Sequence, residues 1–433
     1  MPTERSTLPR PEIVAPAGDP DKLKTALHFG ADAVYLGLKR FSLRNFATNF
    51  DFDQLEWALD FAHSLNRKVY VTLNALPYDE DFDLIREDVR RLGALAPDGI
   101  IVSDPGVLRM LGTEAPHLAV HMSTQANVMN SHAASFWAGQ GVQRIVAARE
   151  LSIAQLQTLS QAPVAIEVFV HGAVCISYSG RCFLSLYWSG RSANRGECTQ
   201  PCRWRYREIE EEKRVGQHHP IMEDSHNSYF FDAKDLCALP VLPQLLEAGP
   251  VAWKIEGRMK SEHYVAVTTD VYAQAARWLA QGDTSTFAEA LPRLQHEVTR
   301  VSNRRFSTHF LDSEQPDLEA YNHKGSRYEN SDVFIGKVVT KGHDFIDVEL
   351  KNPLRPGDTI ELRDSGLKSA VMVPTLFAKT DGSPVEFGRP GTTVRITGHC
   401  SCGVGAIARR VPVPETGGSS EGGDDAARGS QSS

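Results

Sequence analysis

The sequence predicts an α/β protein: a TIM-type (β/α)8 barrel with a long cysteine-rich insertion after its seventh strand, followed by a small C-terminal all-β barrel domain. Three observations carry this prediction. Eight apolar, β-rich runs, each followed by a polar turn and, in most cases, a helical period, fill about 270 residues, the count and size of such a barrel. Five of the seven cysteines fall between positions 175 and 237, inside one connection. Beyond about Asp332 the pattern changes to short alternating runs separated by turn residues.

The N-terminal tail, residues 1–11, is polar and has no apolar core. The eight runs are EIVAPAG (12–18), AVYLGL (33–38), KVYVTLNAL (68–76), GIIVSD (99–104), AVHMSTQAN (119–127), RIVAARE (144–150), AIEVFVHG (165–172) and AWKIEGR (252–258). Between them lie segments such as DFDQLEWALDFAHSLN and DFDLIREDVRRLGAL, with apolar residues three and four apart and Asp or Ser at the cap position. An open doubly wound sheet is the competing architecture, but no Gly-rich dinucleotide fingerprint accompanies the units. The barrel is assigned to 12–312. Its long connection, 171–237, is rich in Gly, Arg, Ser and Cys, and a helix is expected to resume at DLCALPVLPQLLEAG. Connections after barrel strands lie on the face that bears active sites, and one of this length is usually functional. A polar linker (313–331) leads to the all-β domain (332–411), a closed or nearly closed barrel, and the Gly- and Ser-rich tail 412–433 is too poor in apolar residues to order itself.

The chain has 433 residues, 41% of them hydrophobic, and no run approaches the roughly 18 apolar residues that a membrane span needs. A cytoplasmic location without membrane contact is the expectation. The formal charge of −8 supplies no bulk basic field for a nucleic-acid partner. Locally, Arg191, Arg195, Arg203, Arg205 and Arg207 are interleaved with Trp204 and Tyr206, a mixture suited either to phosphates and stacked bases or to a solvated strand beside a structural aromatic pair.

The central cysteines are spaced Cys175-x6-Cys182-x15-Cys198-x3-Cys202-x34-Cys237. Zinc ligands usually come in close pairs, which this segment lacks, whereas iron–sulfur clusters accept thiolates from scattered positions. Spacing alone leaves an iron–sulfur cluster, zinc and unligated buried thiols open. Glu167 and His171 stand toward the end of the seventh run, and alternation along the eighth sends Lys254, Glu256 and Arg258 to one side. These charged groups point either to a polar substrate site or to an internal ion-pair network. Asn74 and Gln125 are strand-end candidates with an equal claim to capping roles. His121 and the His218–His219 pair read as structural or solvated, and Cys400-x-Cys402 lacks companion ligands nearby.

The run EVFVHGAVCISYSGRCFLSLYWSGRSANRGECTQPCRWRY, followed by DAKDLC and WKIEGRMKS, resembles the signature of the collagenase-like peptidase family U32, and EIVAPAGDPDKLKTALHFGADAVYLG fits the same family. The resemblance covers roughly residues 12–275. It implies a 4Fe-4S cluster on Cys175, Cys182, Cys198 and Cys237, with Cys202 spare. It further implies oxygen-independent hydroxylation, with prephenate as co-substrate, of a transfer-RNA wobble uridine to 5-hydroxyuridine. Ribosomal RNA, a ubiquinone precursor, or peptide hydrolysis are the alternatives. No H-E-x-x-H or G-x-S-x-G motif supports a peptidase. In this reading His171, Glu167 and Glu256 are catalytic, and Arg191, Asn194, Arg195, Lys254 and Arg258 bind substrate. The partners are transfer RNA, prephenate, and an electron donor or paralogous protein. Arg304 and Arg305 are expected to hold phosphate, in a stretch where the family often has glycine at the position of His309.

Overall fold

Runs such as AVYLG and KVYVTL are apolar on both faces because one side of a barrel strand meets the interior and the other meets helices. The computed structural model describes residues 8–44, 47–175, 177–203, 233–313, 329 and 331–411. The tails 1–7 and 412–433, most of the linker, Trp204, Arg205, Tyr206, Arg207 and the His218–His219 pair lie outside these described residues.

Seven strands run in sequence: β1 (Glu12–Pro16), β2 (Ala33–Gly37), β3 (Lys68–Leu73), β4 (Gly99–Val102), β5 (Val120–Met122), β6 (Arg144–Val146) and β7 (Ala165–Ala173). After a short β8 (Asp235–Cys237) comes β9 (Ala252–Ile255), which pairs in parallel with both β7 and β1. Eight parallel strands therefore close into a barrel, with Val14 opposite Lys254 at the seam. Helices α1 (Pro20–His28), α2 (Phe52–Ser64), α3 (Phe82–Leu95), α4 (Pro105–Glu114), α5 (Ser131–Gly139) and α6 (Ile153–Leu159) intervene between the strands. Their starts are set by side-chain caps. Asp19 accepts from the Lys22 amide at 2.9 Å, and Asp51 with Gln54, and Ser152 with Gln155, form reciprocal capping boxes.

The insertion holds the short helix α7 (Leu184–Ser189). At its end DLC is a strand, not the start of a helix: β8 runs antiparallel to the end of β7, with His171 opposite Cys237 and Ala173 opposite Asp235. A two-residue strand, β10 (Phe306–Ser307), then pairs with β8. Helices α8 (Leu242–Glu247), α9 (Glu262–Ala280) and α10 (Thr284–Thr299) complete the first domain.

The C-terminal domain is a separate antiparallel sheet. Its strands are β11 (Val333–Lys341), β12 (Phe345–Leu350), β13 (Ile360–Asp364), β14 (Lys368–Met372), β15 (Phe377–Ala378), β16 (Pro384–Val385), β17 (Thr393–Thr397) and β18 (Ile407–Arg410). They are ordered β14-β13-β18-β11-β12-β17-β15-β16, and among the described residues no ladder joins β14 to β16, so the sheet curls without closing. Cys400 and Cys402 are buried in its core among Ile335, Leu362 and Ile396, which explains them as packing residues.

A buried ion network docks this sheet on the barrel. Arg409 Nη2 lies 3.0 Å from Glu297 on α10 and 2.9 Å from Glu361 on β13. Arg363 reaches Asp270 of α9 and Glu297, both at 3.3 Å, while Arg300 holds Asp332 at 2.7 Å and Glu361 at 3.0 Å. Charges this deep are tolerable only when each finds partners, so removal of one leaves the others uncompensated. Arg409→Ala should cost about 3–5 kcal/mol in urea unfolding and expose the β-domain to proteolysis. A loss below about 1 kcal/mol would show that the network does not hold the two domains together.

Candidate active site

Along a barrel strand, alternate side chains enter the interior. Here a small apolar cluster of Val14, Ala33, Tyr35, Tyr70, Ile101 and Ala252 shares the interior with a chain of charged groups. At the floor, Glu12 accepts from Arg144 Nη1, Lys68 Nζ and the Tyr70 hydroxyl, each at 2.7 Å. Burial alone would raise the Glu12 carboxyl, but these donors hold it down at about 2. Arg144 also lies 3.1 Å from Glu167, which accepts from Lys254 Nζ at 2.7 Å. Burial opposes the Glu167 charge, and Lys254 with Arg144 overcomes it, so the carboxylate is held below its usual range. Lys254 lies 4.1 Å above the Tyr35 ring. His121, edge-on to Tyr70, is pushed down to about 4 by burial and then by Arg144, and is neutral at ordinary pH.

Above this pair lies the mouth. Glu256 follows β9 and faces three arginines: Arg149 at 3.3 Å, Arg44 at 3.8 Å, and Arg258, whose charge also helps hold Glu256 ionised against burial. Arg258 is itself fixed by neutral acceptors. Its Nη1 donates to Ser42 Oγ at 2.9 Å and Thr72 Oγ1 at 3.3 Å, and its Nη2 donates to the Leu43 carbonyl. A Cβ at Gly37 would come within 2.1 Å of that guanidinium, so only glycine leaves it room. Arg149 donates to the Ala173 carbonyl at 2.6 Å and stacks on Phe169, yet its Nε is buried with no hydrogen-bond partner among the described residues. Arg44 holds its position with a left-handed backbone, φ 69°. An inner space of about 50 Å3 is lined by Tyr35, Asn74, Ser123, Gln125, Lys254 and these charged groups. It adjoins an outer cleft of about 330 Å3 that shares Arg44 and Glu256 and adds Gln200, Lys260 and Ser302.

The structure redistributes the residues named from sequence. Glu256, Arg258 and the tip of Lys254 do meet at the mouth, and Asn74 and Gln125 line it. Glu167 does not stand at the end of its strand: β7 runs on to Ala173, which leaves Glu167 near the floor. His171 is not in the mouth. A register shift between Phe169 and His171 turns its ring outward, among Tyr264, Tyr272 and Phe306, with Nδ1 3.3 Å from the Tyr272 hydroxyl. Burial pushes it down to about 3, so it is a neutral packing residue. Asn194 ties the insertion to itself and to the barrel, donating to the Gly180 carbonyl at 3.1 Å while its own carbonyl accepts from the Leu76 amide. Arg195 is paired with Asp81 at 2.7 Å and stacked on Tyr78. Arg191 is exposed. Arg304 is no phosphate site, because it is buried against Asp235, and Arg305 pairs with Glu329 at 3.0 Å. His309 adopts φ 50°, the conformation that favours glycine, and its ring bonds the Lys234 carbonyl at 2.9 Å.

Cys198 lies within electrostatic reach of Cys175, Cys182 and Arg44; burial raises its thiol and Arg44 works against that. Cys237 is in β8, buried, 3.7 Å from the Tyr272 hydroxyl. Among the described residues no group of three or more Cys, His, Asp or Glu side chains is gathered closely enough to hold a metal, so the four thiols do not form a cage in this conformation. Arg44 and Arg149 are functional candidates that sequence reasoning missed. Arg149 was legible as the sixth residue of RIVAARE, at a strand end, whereas Arg44 lies in a loop without a motif.

A model of peptidase family U32 matches residues 18–320. The chain is 33% identical over 384 residues to the protein named tRNA hydroxylation protein P1 of Bacillus subtilis (strain 168), covering 88% of this chain and 90% of that one. It is 33% identical over 398 residues to tRNA hydroxylation protein P of Escherichia coli (strain K12), covering 82% and 86%. A protein of Porphyromonas gingivalis (strain ATCC BAA-308 / W83) named Collagenase is 32% identical over 342 residues, covering 76% and 80%.

The floor network makes stability depend on pH with a definite sign. Glu12 falls from 4.5 to about 2 on folding, so its contribution is complete above pH 4.5 and is lost as pH falls toward 2. The amount is about 3 kcal/mol. In urea melts from neutral pH to pH 3, Glu12→Gln should start less stable and lose less on acidification; a decline as steep as that of the native chain would place the acid sensitivity elsewhere.

Proposed function

Because the chain belongs to peptidase family U32, we propose that it is an RNA-modifying enzyme that hydroxylates a base of transfer RNA, the wobble uridine, to 5-hydroxyuridine, with prephenate as the source of oxygen. The observation that carries this reading is the cationic mouth. Arg44, Arg149 and Arg258 converge on one carboxylate, Glu256, and among the described residues the buried Arg149 Nε has no hydrogen-bond partner. A site with more fixed cations than anions takes an anionic ligand, and planar guanidinium groups suit carboxylates. Prephenate carries two. The tRNA-hydroxylating names of the relatives supply the substrate class, and a base turned out of its loop would meet the cleft beside Arg44 and Glu256. A cytoplasmic location and an electron-donor protein belong to the same proposal.

The proposal includes a 4Fe-4S cluster on Cys175, Cys182, Cys198 and Cys237, the four that the family resemblance selects where spacing left the choice open. Cys237, held in the β7–β8 ladder, faces Tyr272, so the four thiols are not gathered in this arrangement, and no reaction step is assigned to a cluster. Below the mouth Lys254 donates to Glu167, while within it Glu256 orients Arg44 and Arg149, and Arg258 fixes the loop that carries Arg44 through Ser42 and Leu43. The relative named Collagenase makes peptide hydrolysis the alternative. Against it, among the described residues the lining of the inner space contains neither histidine nor cysteine, and so no serine–histidine or cysteine–histidine pair.

Transfer RNA from a deletion strain, analysed by nucleoside mass spectrometry, should lose the hydroxyuridine-derived wobble modification; an intact profile would remove this substrate. Arg149→Ala should weaken prephenate binding by about tenfold to a hundredfold, measured by calorimetry, since a charge-assisted hydrogen bond contributes about 1.5–3 kcal/mol. After anaerobic purification the native chain should be brown, and Cys198→Ala should lose iron and the absorption near roughly 400 nm. Full iron retention would free that cysteine from the ligand set.

A further inference from the structure

Helix α7 in the insertion is inside out. Its small hydroxyl residues face inward: Ser185 is buried and accepts from the Thr199 amide at 3.0 Å, and Ser189 Oγ lies 3.0 Å from Thr199 Oγ1. Its large apolar residues face water. Phe183 is 70% exposed, Tyr187 79% and Trp188 51%, with Tyr178 and Leu186 exposed beside them. Scattered single apolar residues on a surface need no account, but five within eleven positions, on a helix whose polar side is the one packed, form a patch that marks an interaction site.

The patch sits beside the barrel mouth. The Asn127 side chain, after β5, donates to the Ser179 carbonyl at 2.5 Å, the Leu76 amide, after β3, donates to the Asn194 carbonyl at 2.9 Å, and Arg195 grips Asp81. These anchors tie both flanks of α7 to loops on the face that carries Glu256 and Arg149. Its charge is also set apart from the rest of the molecule. From 177 to 203 there are four arginines and a single acid, Glu197, in a chain whose formal charge is −8. Arg181 and Arg191, both exposed, bracket the aromatic residues.

We propose that this face is a stacking platform for the unpaired bases of an RNA loop, with Phe183, Tyr187 and Trp188 receiving bases and Arg181 and Arg191 placed along the phosphates. It rests on the reading of the chain as a transfer-RNA enzyme and names the surface that presents the loop to the mouth. Aromatic rings with solvent on one side and arginines around them suit single-stranded nucleic acid, because every base offers a π-face and every linkage a negative charge. A neutral lipid surface, or a second copy of this acidic chain meeting ring to ring, would leave the arginines unused.

The test uses the full chain and a synthetic RNA hairpin whose loop carries the wobble uridine. Phe183→Ala, Tyr187→Ala and Trp188→Ala should each raise the Kd, read by fluorescence anisotropy, by roughly five- to a hundredfold. Tyr187→Phe should retain binding, and in the Phe183 and Tyr187 variants the melting temperature should not move, because those two rings are 70% and 79% exposed. Hairpin binding should quench Trp188 fluorescence, while a blunt duplex without a loop should not. Unchanged Kd values in all three alanine variants would overturn the proposal. So would a dimer of the RNA-free native chain that the same variants convert to monomer, or binding of the variants to neutral lipid vesicles weakened in place of RNA binding. The two readings fail separately. A native chain that ignores the hairpin while the deletion strain lacks the modification defeats the platform alone, whereas hairpin binding that depends on the rings with an unaltered nucleoside profile defeats the hydroxylation reading alone.

Discussion

A lysine and a glutamate meet at 2.7 Å inside a closed barrel, and much of the molecule follows from that pair. Barrel interiors are ordinarily filled with layers of branched apolar side chains. Here the apolar filling is reduced to a cluster around Val14, Ala33, Ile101 and Ala252, and Lys254 and Glu167 beside it survive burial only with further partners. Arg144 and Glu12 extend the chain of charge downward to Tyr70 and Lys68 at the floor, and Glu256 with Arg44, Arg149 and Arg258 extends it upward to the mouth. Each step neutralises the one before it. At the top the series ends with cations in excess, and there the barrel is open to a ligand.

Two attachments hold the mouth in place. At one, the β-domain is fixed to α9 and α10 through Arg300, Arg363 and Arg409, an arrangement in which every buried guanidinium has at least one carboxylate within 3.3 Å. At the other, the insertion returns as β8, adding its strand to the projecting end of β7 and seating Arg304 on Asp235. A Cβ at Gly172, where β7 leaves the barrel wall at φ 107°, would strike the Glu256 carbonyl at 2.5 Å. The strand that carries the insertion and the residue at the centre of the mouth thus pass each other with no room for a side chain, which couples the insertion's path to the position of Glu256.

The contrast between His171 and Arg149 shows how far strand-end reasoning reaches. Both lie at the carboxyl ends of barrel strands, and the histidine is the residue type that sequence reasoning favours for proton transfer. One irregular residue in β7 sends His171 into a wall of tyrosine and phenylalanine, while Arg149, a member of the wall by sequence position, lies over Phe169 at the mouth. Cys237 is displaced by the same ladder: opposite His171, its thiol faces Tyr272 and not the cysteines of the insertion. Alternation is a local rule. A single register shift reverses it for everything that follows.

The order of eight apolar runs, the capping residues between them, the single long cysteine-bearing connection and the change to short strands after Asp332 are all functions of nearest neighbours in the chain, and the sequence by itself determined the barrel, the sheet domain and the family. Periodicity of 2 and 3.6, and the turn chemistry of Asp, Ser, Gly and Pro, act over a few residues and need no partner. Which charges face one another was decided only by the tertiary structure. Glu12 and Arg144 are 132 positions apart, and Lys254 and Glu167 are 87. Pairs at such separations are set by barrel closure and strand register, and the energy that selects them, the cost of burying a charge without its counter-charge, exists only once the chain has closed around them.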